Sequence, residues 1–163
     1  VSVTKNLRDG TLVLSDSGAA NSITLACEEG DLRFAESNAV INVLDRGDLS
    51  HMRQGDEVPV TLSWTLKFIE LISSDTGIPT AYEAIKNIQA ASGWTSTNTD
   101  GGDVFTLDMV FTISTPTATE KDEIITFANA HGAMEFAEGD EYNTLAFTGE
   151  AFIVAPEVAK DAA

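Results

Sequence analysis

Residues 45–70 read DRGDLSHMRQGDEVPVTLSWTLKFIE, and their second half decides the fold. Val60, Leu62, Trp64, Leu66 and Phe68 fall on one parity, while Thr61, Ser63, Thr65 and Lys67 fall on the other. Successive side chains leave opposite faces of a pleated strand, so a period of two with β-branched and aromatic residues predicts a half-buried strand. The first half, Asp45 to Glu57, is charged and glycine-punctuated, with Leu49 and Met52 as its large apolar residues. It cannot close a core, and is expected to be solvated or matched to another polar surface.

Working outward, the same alternation recurs. Val104 to Ser114 sets Phe105, Leu107, Met109, Phe111 and Ile113 against Thr106, Asp108, Val110 and Thr112. Asn143 to Val154 puts Leu145, Phe147, Ala151 and Ile153 on the inward parity, with Gly149 expected to mark a bulge. Shorter strands are predicted at Thr11–Leu14 and Ile23–Cys27, joined by the turn-rich SDSGAANS, and at Leu32–Phe34 and Val40–Leu44. Ile124–Ala130 and Ala133–Glu138 read as a strand pair with His131 in the turn; His51 reads as a loop residue.

One helix signal stands out. Thr80 is an N-cap candidate with Glu83 three residues on, the spacing of a capping box, and Ile78 sits near the staple position. Tyr82, Ile85 and Ile88 then form an apolar stripe, and Ser92-Gly93 should end the helix near Ala91. The sum is a mainly β chain: a two-sheet β-sandwich or partly closed barrel with one flanking helix, about 80–91, and a long charged loop, about 45–57. Length predicts a single domain over 1–163, with flexible segments at about 1–10 and 157–163.

Composition narrows the function. Nine Lys and Arg against twenty-six Asp and Glu give a net charge of −17, so the basic footprint that phosphate binding requires is missing. No apolar run is long enough to span a bilayer as a helix, and no signal-peptide pattern is present. Cys27 is the lone cysteine and cannot form an internal disulfide, which fits a reducing compartment. Asn98, Asp100 and Asp103 resemble calcium ligands superficially, but miss the EF-hand spacing and its closing Glu. No nucleophile–base order, carboxylate–histidine spacing or phosphate loop appears, so neither enzyme nor cofactor nor metal site is expected. There is also an internal echo. Ile23–Glu36, ITLACEEGDLRFAE, matches Ile125–Glu138, ITFANAHGAMEFAE, at seven of fourteen positions; the match reflects either chance or shared hairpin chemistry, or two hairpins at equivalent places in two packed sheets.

Three stretches carry a family resemblance. VLDRGDLSHMRQGDEVPVTLSWTLKF, the opening EEGDLRF, and MEFAEGDEYNTLAFTGEAFIVAP resemble, in order and character, the elements of tail tube proteins of tailed bacteriophages, over roughly residues 20–156. The resemblance implies a β-sandwich with a flanking helix, similar to that of type VI secretion tubes. It implies a structural virion protein, a major tail protein whose hexameric rings stack into a tube. Genomic DNA would pass through that tube without specific binding. Its partners would be itself and other tail proteins, with no membrane. Its place would be the virion tail, after synthesis in the host bacterial cytoplasm. On that reading Asp45, Arg46, Asp48, His51, Arg53, Asp56 and Glu57 form an inter-subunit contact arm. Thr65, Lys67, Asp108, Thr112, Thr148 and Glu150, on the polar parities, are candidates to face a hydrated lumen. A capsid decoration protein, or a β-sandwich ligand-binding module, is the alternative. The binding module would need exposed aromatics, yet aromatics make up 7% of the chain and most take the inward parity.

Overall fold

Val60, Leu62, Trp64 and Leu66, Leu107, Met109 and Phe111, and Leu145, Phe147 and Ala151 are buried, as the alternation requires. Phe105, Ile113 and Ile153 are half-buried, and Thr106, on the expected polar parity, is buried ahead of the strand. The computed structural model describes residues 10–25, 31–67, 70–75, 77–115 and 120–161. Expectations for the segment before Gly10, for Cys27 and for Phe68 lie outside the described residues. The strands are β1 (Gly10–Ser15), β2 (Ser22–Leu25), β3 (Arg33–Ala35), β4 (Val40–Asp45), β5 (Asp48–Gln54), β6 (Val60–Lys67), β7 (Leu107–Ile113), β8 (Glu123–Ala137), β9 (Thr144–Ala151) and β10 (Glu157–Lys160). Helix α1 covers Ala81–Lys86.

Among the described residues, eight strands form one antiparallel sheet in the order β2-β1-β7-β8-β9-β6-β3, with β10 paired to β8, and β4 and β5 pair with each other in a second sheet. The large sheet folds over on itself. Phe34 on the β3 edge meets Phe127 of β8 edge-to-face at 5.3 Å, and Trp64 Nε1 on β6 points at Met109 Sδ on β7, 3.3 Å away. Both contacts join strands that are far apart along the sheet, so the molecule has two layers with the core between them. Trp64, Phe111, Phe127 and Phe147 are all essentially inaccessible. The sheet is not closed into a barrel: β2 and β3 are its two ends and do not pair.

The device that makes two layers from one sheet is β8. It is one 15-residue strand, where the sequence predicts two with a turn at His131. Its first half pairs with β7 and β10, and its second half with β9. Between them Asn129 adopts φ 52°, beside a register shift against β7 at Leu107–Met109. A bulge bends a strand and raises its twist, and Asn is among the few residues that enter the left-handed region readily. Asp108 Oδ1 accepts the hydrogen bond of Asn129 N at 3.2 Å, satisfying the amide that the bulge frees.

Gly149 is not a bulge. It holds register with both Leu62 and Gly132, so the ladders of β9 run through it unbroken. The echo does not mark two hairpins either. Ile23–Leu25 lies in β2 and Arg33–Ala35 in β3, at opposite ends of the sheet, whereas the second copy lies almost wholly within β8. What the copies share is a passage from one layer to the other. The expected frayed tail is also corrected, because Glu157–Lys160 forms β10 against Glu123–Thr126.

Helix α1 begins as its sequence dictates. Thr80 Oγ1 accepts from Glu83 N at 3.2 Å, and Glu83 Oε2 accepts from Thr80 N at 2.9 Å, completing the capping box. It ends sooner than expected, at Asn87 with φ 54°, and a separate 3₁₀ turn covers Gln89–Ala91. Ala81 and Ala84 are buried, while Tyr82, Ile85 and Ile88 are half-buried. Ile78 is 62% exposed, so it staples nothing. Between β1 and β2, Asp16 is buried and accepts from Asn21 N, Asn21 Nδ2 and Thr95 N at 2.9, 2.7 and 3.2 Å. Burial opposes its ionisation, but these hydrogen bonds outweigh burial and hold its carboxyl below the ordinary value.

Candidate assembly surface

The charged stretch is a hairpin, not a loop. Asp48–Gln54 is β5, paired with β4 from Val40↔Gln54 to Asp45↔Asp48. Arg46 and Gly47 between them have φ 52° and 91°, the positive values that a two-residue hairpin turn matched to strand twist requires. Gly55 N donates to Ala39 O at 2.8 Å and closes the base. A polar sequence pairs here because its partner strand, VINVLD, brings β-branched residues; the turn sets the register as far as Leu44↔Leu49, and a one-residue shift at Ser50 resets it to Val43↔His51.

All of β5 and most of β4 are exposed. Asp45, Arg46, Asp48, His51 and Arg53 thus lie on one projecting hairpin, while Asp56 and Glu57 sit in the link back to β6. Ser50 Oγ and His51 Nδ1 are 3.2 Å apart. The described ion pairs include none from Asp45, Arg46, Asp48 or Arg53. The register also shows what the charge count hid. Leu44 lies opposite Leu49 and Asn42 opposite Met52, and Leu49 and Met52 are each 77% exposed.

The lumen candidates divide between the layers. Thr65 and Lys67 on β6 share the outer face with Thr148 and Glu150 on β9, since Thr61↔Glu150, Ser63↔Thr148, Thr65↔Ala146 and Lys67↔Thr144 are register partners. That face continues onto β8, where His131 Nε2 approaches Glu150 Oε1 at 3.3 Å. Asp108 and Thr112 lie on β7, on the outer side of the other layer. Because the two layers share one core, their outer sides point apart, and the six residues do not line one surface. Asp108, moreover, is engaged at the β8 bulge.

The loop with Asn98, Asp100 and Asp103 organises itself: Asn98 Oδ1 accepts from Asp100 N and Asn98 Nδ2 donates to Val104 O. Among the described residues no helix is long and apolar enough to cross a membrane.

With this geometry in place, the fold can be compared. No family model matches the chain, and no curated protein does. Among solved structures, a chain of the SPP1 tail tube, determined by solid-state NMR and cryo-EM, matches with a TM-score of 0.53. The match covers 96% of this chain and 79% of that one, at 7% identity. The two share a fold.

Proposed function

We propose that this chain is a structural virion protein, a tail tube subunit that assembles with copies of itself into stacked hexameric rings through which DNA passes. The observation that carries the reading is the fold shared with the SPP1 tail tube over nearly the whole chain. Two features support it. A hairpin with unpaired charges and bare apolar side chains projects from the sheet, as a contact arm between subunits would. The outer face of β6 and β9 is rich in hydroxyl and small side chains, suited to a hydrated wall.

Charge has a defined part in this reading. Six copies at −17 each make a strongly negative ring. Ionic screening limits its reach to a Debye length of about 8 Å. Such a wall does not centre DNA in a wide channel. It repels phosphates that come close, and with nine Lys and Arg against twenty-six Asp and Glu it offers little of the basic surface whose counterion release drives binding. The surface is non-stick, and no enzyme chemistry is assigned to it.

Negative-stain microscopy of the purified chain at increasing concentration tests the proposal. Rings or tubes with sixfold end views are expected. A chain that stays monomeric both alone and with the other tail proteins overturns it.

A further inference from the structure

We infer that the apolar side of the β4–β5 hairpin of one copy seats in a cleft at the far end of a second copy, between the start of α1 and the ends of β6 and β9. The inference rests on the stacking reading above and names the receptor that reading leaves open.

The cleft has a volume of about 270 Å³. Leu25, Leu66, Pro79, Ala81 and Leu145 line it, and Ile78 stands exposed at its lip. Its position decides the pairing. The hairpin leaves the sheet where β3 ends and β6 begins, at Ala35 and Val60; the cleft lies at the other end of β6, at Leu66 and Lys67. The two are separated by the length of an eight-residue strand, roughly 26 Å at about 3.3 Å per residue. A projection at one end and a matching concavity at the other give a head-to-tail contact, which does not close on a pair of molecules but propagates. The apolar pocket formed by Val58, Pro59 and Phe152–Val154 lies beside the hairpin's own base, at the wrong end for such a contact.

Both surfaces have the chemistry for it. Leu44, Leu49 and Met52 are a contiguous exposed apolar group on a two-stranded ribbon, which has little stability alone and gains by being covered. Copies of a chain with net charge −17 repel one another, so a mutual contact belongs where the negative charge is cancelled. The hairpin meets that condition: Arg46 and Arg53 balance Asp45 and Asp48. Glu70 and Asp75, which line the cleft together with Lys67, offer carboxylates to Arg46 at the hairpin's turn. Arg53, next to Met52 on β5, leaves the ribbon by its other face and lowers the net charge of the hairpin without entering the cleft.

The test uses the whole chain in a Cys27→Ser background. Met52→Cys chains are mixed with Ile78→Cys chains, assembled under reducing conditions, oxidised, and mapped by mass spectrometry. A disulfide joining position 52 of one copy to position 78 of another, absent from unassembled protein, is the expected result. Tubes without that link, or with 78-to-78 links instead, overturn the inference and leave the tube reading standing. A wild-type chain that forms no tubes, alone or with the other tail proteins, overturns both. Should the cysteine chains fail to assemble, Ile78→Asp decides. It should raise the concentration needed for assembly by about tenfold or more with an unchanged melt, while Phe152→Asp should not. Equal effects of the two would overturn the assignment.

Discussion

The ring of Phe147 lies over Gly149, two residues along β9, and over Gly132, the register partner of Gly149 on β8. A Cβ at Gly149 would stand 2.8 Å from Phe147 Cζ, and one at Gly132 would stand 2.9 Å from Cε2. The same Cβ atoms would also collide with backbone, at His131 O and Thr148 O respectively. The two glycines therefore make room for an aromatic ring, which in turn stacks on Trp64 at 5.1 Å. Overpacking of this kind typically costs about 1–3 kcal/mol. Gly149→Ala should lower urea-unfolding stability by at least that much, since backbone must move. A neutral result would mean the ring can swing away.

Trp64→Ala tests the core itself. The indole is 1% exposed, stacked on Phe147 and directed at Met109. Removing a large buried aromatic typically costs about 3–5 kcal/mol. Trp64→Phe should recover most of it, because the stack survives and only the N–H contact is lost. An unchanged melting temperature for Trp64→Ala would exchange the inner and outer faces of β6.

How far the sequence could be read follows from which interactions are local. The alternation of β6, β7 and β9 and the Thr80–Glu83 box are set by residues within a few positions, and all were legible. The single strand β8 was not. Gly132 looks like a turn residue, and its real reason, the ring of Phe147, comes from a neighbouring strand. The second half of the hairpin reads as a loop in the sequence for a related cause. That half, β5, is polar and acquires strand geometry only from pairing with Val40–Asp45. Dividing Asp108 and Thr112 from Thr65, Lys67, Thr148 and Glu150 needed the layer assignment, which parity along one strand cannot supply. The apolar cleft at α1 was invisible, because Leu25, Ile78 and Leu145 meet only in the fold.

The Thr80 cap should account for a measurable part of stability. Thr80→Ala removes the acceptor for Glu83 N and the donor to Leu71 O, the latter bond 2.7 Å long. An N-cap replaced by alanine typically costs about 1 kcal/mol, and by glycine only a few tenths. Thermal melts of both variants check the ordering. If the glycine variant proves the less stable, backbone entropy rather than the cap governs α1.

Asp16 should make stability depend on pH in the acid range. Its folded carboxyl ionises below its unfolded value, so the unfolded chain binds the proton more readily. The contribution is fully present above the unfolded value, about 3.9, and is lost as pH falls through the folded one. Asp16→Asn keeps the size but loses the ionised acceptor, so it should be less stable at neutral pH and lose less on acidification. Parallel pH–stability curves for the two proteins would show that other carboxylates carry the acid transition.

Arg46 and Arg53 separate folding from assembly. Both side chains project from the hairpin, and neither enters the described ion pairs. Surface substitutions of this sort usually change stability by no more than about 0.5 kcal/mol. Replacing both with glutamate removes the cations that balance Asp45 and Asp48 and turns the hairpin into a patch of one sign. Set against a neighbour of net charge −17, that juxtaposition can cost several kcal/mol at an interface. The expected outcome is a double variant that melts like the parent chain but sediments as monomer where the parent forms tubes. High salt should partly restore assembly, because screening weakens exposed like-charge repulsion. Tube formation undiminished in the double variant would remove the hairpin from the contact, whatever the sheet behind it does.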